Sequence, residues 1–176
     1  LTKSFRLTNA MSRFVNEGIL GYRRIVTDKP GYPVTYIIDN VFDYAFHEKI
    51  YETYRRLTIA GAKPDDFFFL FPGMGPRTPS AGLNRYLASR GVSILYADSE
   101  SSDIKASHMK NKVVFTTFHK SKGRERKYVF VFGFDEGYFK YYKTERNLDT
   151  SKCCPELYVA ITRATERLFV IQSKEY

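Results

Sequence analysis

Apolar and polar positions along the chain follow two periods, and the switches between them mark its elements. From Arg6 to Leu20, Leu7, Met11, Phe14, Val15 and Ile19 recur at helical spacing with Asn16 and Glu17 between them, predicting an amphipathic helix ended by Gly18 or Gly21. Asp28-Lys29-Pro30-Gly31-Tyr32-Pro33 reads as a turn, and Val34–Ile38 as a β-branched and aromatic strand closed by Asp39-Asn40. Phe42, Ala45, Phe46, Ile50, Tyr54 and Leu57 then place a long helix over Val41–Ala60, with Gly61 as its cap. Phe67–Phe71 is apolar without alternation, the pattern of a central parallel strand covered on both faces. Ser80 can cap a helix running to Ser89, Val92–Tyr96 is a strand, and the polar stretch Ala97–Lys112 is a loop or short insertion. Strands over Val113–Phe118 and Tyr128–Phe132, a tyrosine-rich charged segment from Tyr138 to Ser151, a helix near Pro155–Thr165 and a strand over Leu168–Gln172 complete the order. Strands alternating with helices in this way specify an α/β sandwich around a mostly parallel sheet, whose ligands bind beyond the carboxyl ends of the strands.

Composition narrows the partners. A chain of 176 residues, 43% of them hydrophobic, fits one domain better than two. No run of about 18 apolar residues occurs. The amino end lacks the layout of a signal peptide, so the expectation is an intracellular chain, cytoplasmic or nuclear in a eukaryote, with no membrane partner. Cys153 and Cys154 are adjacent and cannot form a paired CxxC site, and His47, His108 and His119 lie far apart without an HExxH pair, so no metal site is expected. Against 19 acidic residues stand 28 Lys and Arg, a formal charge of +9 that attracts polyanions, nucleic acid first among them. A basic surface also serves solubility alone, so residue patterns must decide.

The most informative segment runs from Val113 to Glu125, a buried strand entering a polar loop that bends at Gly123. The hydroxyls of Thr116 and Thr117, with His119, Lys120 and Lys122, can donate to phosphates or sugars. Gly123 lets backbone approach a ligand, and Glu125 can accept from ribose hydroxyls. Standing alone, the loop would read as a solvated basic turn. However, Thr117, His119, Lys122-Gly123 and Glu125 stand in the order of motif V of UvrD/Rep-type superfamily 1 DNA helicases, which the segment resembles, with Arg124 where that family has leucine. The VFVFGFDEGYF that follows is similar to the same family. Near the carboxyl end, Tyr158-Val159-Ala160-Ile161-Thr162-Arg163-Ala164 resembles motif VI, whose arginine reaches across a cleft to ATP. The plain reading of Arg163 is a local ion pair with Glu166 at i+3. Leu1 to Arg6 is similar to motif IV, with Ser4-Phe5 in place of Asn-Tyr, and the three motifs keep the family order.

The resemblance implies a second RecA-like domain over residues 1–176, a three-layer α/β sandwich that clamps ATP with Arg6, Gly123, Glu125 and Arg163. Arg163 and Arg6 would face the γ-phosphate, while Thr116, Thr117, His119, Lys120 and Lys122 would grip single-stranded DNA or a single/double-strand junction. No GxxxxGK[ST] loop is present, since Gly73 to Thr78 lacks the spacing and the lysine. The resemblance therefore implies that the phosphate loop and the Mg2+ ligands belong to an amino-terminal RecA-like domain, and that this chain alone is inactive. The accessory insertion ahead of motif V is absent or much reduced around residues 97–112. The rival from another class is a nucleic-acid-binding or adaptor module without motor activity. A third possibility is the helicase half of a helicase-nuclease. Most of the 14 Tyr and 15 Phe read as core, Phe67–Phe71, Phe46 and Phe130 among them. Tyr138, Phe139, Tyr141 and Tyr142, interleaved with Lys140 and Lys143, suit either strand contact or a partly buried connector.

Overall fold

The computed structural model describes residues 2–97, 106–141 and 153–174. Two short strands, β1 (Thr2–Lys3) and β2 (Ile25–Val26), form a small parallel pair beside α1 (Asn9–Arg13), which continues as a π-helical segment over Phe14–Leu20. There follow β3 (Thr35–Asp39), α2 (Tyr44–Ile59), β4 (Phe67–Phe71), α3 (Pro79–Ser89), β5 (Ile94–Tyr96) and the short α4 (Ala106–Met109). The last elements are β6 (Val113–Thr117), β7 (Arg126–Phe132), α5 (Glu136–Tyr141), α6 (Pro155–Ile161) and β8 (Ala164–Ser173). Six strands make one sheet in the order β3-β8-β7-β4-β6-β5, and every pairing in it is parallel.

Period two along the strands divides the core into two layers. Phe68, Leu70, Val114, Val129, Val131, Leu168 and Val170 point to one side, against Leu7, Met11 and Val15 of the amino-terminal segment and Leu157, Ala160 and Ile161 of α6. Phe67, Phe69, Phe71, Phe115, Phe130, Phe132 and Phe169 point to the other, against Phe46 and Ile50 of α2 and Leu83 and Leu87 of α3. Because both faces are covered, β4 shows no alternation in sequence, as expected. On the α2/α3 side, four rings from neighbouring strands stack in register: Phe115 on Phe69 at 4.8 Å, Phe69 on Phe130 at 4.5 Å and Phe130 on Phe169 at 4.2 Å. Each such ring, fully withdrawn from water, contributes roughly 1.5–3 kcal/mol.

Several element boundaries differ from the pattern. The helix at the chain start is entered by the Thr8 side chain, which accepts from Met11 N, and it loosens into the π-helical segment. There Asn16 turns inward and brackets Ile25, accepting from its N–H at 2.9 Å and donating to its carbonyl at 2.7 Å. Gly31 passes so close to Thr8 that a Cβ there would lie 2.4 Å from the threonine, so this position of the turn must be glycine. Helix α3 starts after Thr78 with Pro79 in its first turn, not at Ser80. Ser80 is fully buried, its hydroxyl shared with Thr78 and with the Tyr96 phenol at 2.8 Å. The last helix ends at Ile161, not near Thr165, and β8 begins at Ala164, ahead of Leu168. The Thr162 hydroxyl and the Arg163 guanidinium take the carbonyls of Tyr158 and Val159, which stops α6. Within Ala97–Lys112, residues 98–105 lie outside the described residues, as do Tyr142, Lys143 and the rest of the segment to 152. Tyr138 is buried against Phe118 and belongs to the core. Among the described residues, no helix is long and apolar enough to cross a membrane.

Candidate functional site

Strand β6 ends at Thr117, next to the end of β4, where Phe118 N–H donates to the Phe71 carbonyl at 3.1 Å. The chain must then return to the opposite edge of the sheet, because β7 runs parallel to β4. It does so through a single tight turn over His119–Ser121 and the bend at Gly123, whose φ of 78° is the left-handed region natural to glycine. The buried Ser121 hydroxyl donates to the Phe118 carbonyl at 2.7 Å and Arg124 N–H to the Ser121 carbonyl at 3.0 Å, which fixes the loop. At its far end Arg126 N–H donates to the Arg163 carbonyl at 3.1 Å.

This crossing separates the sequence candidates into two groups. Thr117 is half-buried at the carboxyl edge of the sheet, and His119, Lys122 and Gly123 are exposed along the loop. Thr116 points into the core with no exposure, its hydroxyl without a hydrogen-bond partner. It supports β6 and presents nothing at the surface. The Lys120 ammonium is also buried without an acceptor, in a side chain that is otherwise half-buried.

Glu125 and Arg163 lie at the opposite, amino edge, immediately before β7 and β8. Both therefore lie away from the carboxyl ends of the strands, where the pattern places ligands. Arg6 reaches the same edge from the amino-terminal segment and stands 3.5 Å from the Glu125 carboxylate. The Arg163 guanidinium is held by the Val159 carbonyl at 2.8 Å, the Arg124 carbonyl at 3.3 Å and the Thr162 hydroxyl at 3.1 Å. That occupies three of its five N–H groups and aims the fork along the loop. Glu166 is not among its partners, and its charge acts on Tyr128 instead, helping burial to raise the phenol pKa. Burial, then the charge of Arg6, push the Arg163 guanidinium below its ordinary pKa, while Glu125 opposes them. Arg6, with a buried Nε that lacks an acceptor, and Arg163 repel one another and share the influence of one carboxylate, that of Glu125, which leaves their charge incompletely matched.

Two further residues lie against Arg6, and neither is among the candidates drawn from the sequence. Phe5 is 84% exposed beside Arg6, with the Lys3 ammonium 5.6 Å from its ring centroid. Lys29, from the turn after β2, donates to the carbonyls of Arg6 and Thr165. Exposure marks the first, and only the fold reveals the second.

Residues 89–175 match the family described as UvrD-like helicase C-terminal domain. A probable DNA helicase II homolog of Mycoplasma capricolum subsp. capricolum is 33% identical over 84 residues, covering 47% of this chain and 12% of that protein. The ATP-dependent DNA helicase Rep of Buchnera aphidicola subsp. Baizongia pistaciae is 43% identical over 61 residues, covering 33% of this chain and 9% of that protein. The chain thus spans only about a tenth of the length of these relatives. In fold, the chain is similar to the crystal structure of the C-terminal domain of a possible DNA helicase from Lactobacillus plantarum WCFS1, with a TM-score of 0.63 at 14% identity, over 97% of this chain and 88% of that one. Arg6 lies ahead of the matched residues, whereas the whole β6–β7 loop, Glu125 and Arg163 lie within them. Residues 89–175 belong to the UvrD-like helicase C-terminal domain family.

Proposed function

We propose that residues 1–176 form the second RecA-like domain of an ATP-dependent DNA helicase or translocase and supply one half of a split ATP site. The observation that carries this reading is the convergence of Arg6, Glu125 and Arg163 at one edge of the sheet, from segments 119 residues apart for the first pair. Arg163 and Arg6 present guanidinium forks to the γ-phosphate of an ATP bound to the phosphate loop of an amino-terminal domain, and stabilise the charge that grows as the phosphoryl group departs. Glu125 accepts from the ribose hydroxyls, Gly123 lets the loop approach the nucleotide, and the exposed Phe5 ring offers a face to the base. The residues present suit a polyphosphate, since the cationic pair exceeds its carboxylate partner and Arg6 keeps a buried N–H unmatched. Among the described residues no group of three His, Cys, Asp or Glu could hold a metal ion, and the proposal assigns Mg2+ to the amino-terminal domain.

The second group grips nucleic acid. Thr117, His119 and Lys122, with Lys120 behind them, contact the phosphates of single-stranded DNA or of a strand at a junction, and the net charge of +9 favours that encounter. One short loop joins this grip to Glu125 and to the carbonyl that holds Arg163. Nucleotide-driven movement of Arg163 therefore reaches the strand contacts directly, and cycles of binding and hydrolysis bias the two domains between closed and open.

The test is ATP turnover by a polypeptide that contains this chain and a phosphate-loop domain, with and without single-stranded DNA, beside the chain alone. Strand-stimulated turnover by the longer polypeptide and none by the chain is the expected result. A longer polypeptide that binds strands yet never hydrolyses ATP would replace the motor with a nucleic-acid-binding module.

A further inference from the structure

The turn at Asp28–Pro33 does more than reverse the chain. The Lys29 side chain extends from it to the amino edge of the main sheet, where its ammonium donates to the Arg6 carbonyl at 3.3 Å and to the Thr165 carbonyl. The Lys29 backbone is fixed on both sides, its N–H on the Thr27 hydroxyl at 3.1 Å and its carbonyl on Asn9 N–H at 2.7 Å. Thr27 in turn donates to the Leu7 carbonyl at 2.9 Å. The base of the side chain is thereby locked to the segment that carries Arg6. Its tip grips the start of β8 at Thr165, two residues after Arg163. Thr165 is also tied to the other side of the site, since its hydroxyl donates to the Arg126 carbonyl at 3.4 Å, beside Glu125.

An ammonium spends its charge well on two carbonyls, because charge-assisted hydrogen bonds are stronger than neutral ones and the half-buried setting screens them less than bulk water does. We propose that Lys29 is a positioning residue that fixes the separation of Arg6 and Arg163 and so sets the width of the phosphate clamp; this rests on the function proposed for that site. Lys29 itself need not touch the nucleotide. It holds backbone, and the backbone carries the two guanidinium groups.

Two measurements separate this inference from the reading beneath it. In the chain itself, the side-chain Nε–H resonances of 15N-labelled arginine report Arg6 and Arg163 without any nucleotide. Lys29→Met keeps the apolar stem and is expected to shift both resonances and speed their exchange with solvent, while Lys29→Arg, which still spans the two carbonyls, restores them. Lys29→Gln is read alongside, so that unfolding of one variant does not decide the outcome. Unchanged Arg6 and Arg163 signals in a folded Lys29→Met or Lys29→Gln chain overturn the proposal. In the longer polypeptide, Lys29→Met is expected to lower kcat for ATP about tenfold with strand affinity unchanged, and to add nothing in an Arg163→Ala background. Full additivity of the two substitutions counts against Lys29 acting through the clamp. Absence of turnover in the unsubstituted polypeptide sinks the proposed function instead, and leaves the resonances to decide Lys29.

Discussion

The guanidinium of Arg6 stands 3.5 Å from the Glu125 carboxylate, at 38% and 55% side-chain exposure, so the pair links the amino-terminal segment to the start of β7 while remaining open to water. Solvent and salt screen such a pair, and its contribution to folding is about 0–1 kcal/mol. Its use therefore lies in orientation. Glu125→Gln is expected to leave the urea midpoint of the chain nearly unchanged and to raise KM for ATP in the longer polypeptide. A large fall in midpoint with KM untouched would mean that the carboxylate is a structural brace.

Arg163 differs because its fork is tied to Val159, Arg124 and Thr162 before any ligand arrives. Removing it should destabilise the chain by about 1–3 kcal/mol through the acceptors left unpaired. It should also lower ATP turnover of the longer polypeptide by about 10³-fold or more, the scale for an arginine that neutralises a departing phosphoryl group. Arg163→Lys should restore part of the stability and little of the turnover, because an ammonium cannot reproduce a planar fork. Near-normal turnover in Arg163→Ala would remove Arg163 from the chemistry.

The sequence shows β4, α2 and the alternation of strands and helices because burial and periodicity act on side chains that can be read in order. It does not show where α6 stops. Leu157, Ile161, Ala164 and Leu168 keep a helix-like spacing through a backbone that has already become strand, and the terminator is the side-chain capture of two carbonyls by Thr162 and Arg163. Thr117, His119, Glu125 and Arg163 stand out in the sequence as residue types, but the edge of the sheet on which Glu125 and Arg163 lie does not. The rule that parallel sheets bind ligands at their carboxyl ends points the other way, and only the eight-residue return from Phe118 to Glu125 carries the carboxylate across. Lys29 had no signature at all, since its acceptors are backbone carbonyls that every residue possesses.

Phe69 stands at the centre of the stacked rings, between Phe115 and Phe130. It is fully buried and its ring neighbours come from the strands on both sides of β4, so the surrounding structure has little freedom to collapse onto a void. Phe69→Ala is expected to cost about 3–5 kcal/mol in urea unfolding of the chain, and Phe69→Leu distinctly less. A cost under about 1 kcal/mol for the alanine would show that the ladder relaxes freely and does not hold β6, β4 and β7 in register.

His47 gives the fold a pH dependence with a definite sign. It is buried between α2 and α3, its Nε2 facing the Val41 carbonyl at 3.1 Å and its ring against the space beside Gly82. With a carbonyl as partner, the neutral ring carries its proton on Nε2. Burial, more than any other influence, pushes its pKa below the ordinary histidine value of 6.5, helped by the nearby Arg85 charge and opposed by the Val41 carbonyl and Asp43. The unfolded chain therefore takes up this proton at a higher pH than the folded one. Stability from His47 is fully present above pH 6.5 and declines as the pH falls below it towards the lowered folded value. Urea unfolding should show a loss of stability between pH 7.5 and 5.5, about the window in which a histidine charges. That loss should shrink in His47→Gln, which keeps a donor for the Val41 carbonyl but has no proton to gain. An equal loss in both chains would mean that protonation of His47 does not govern acid sensitivity in this range, and that the α2–α3 contact accepts the charge by opening a path to water.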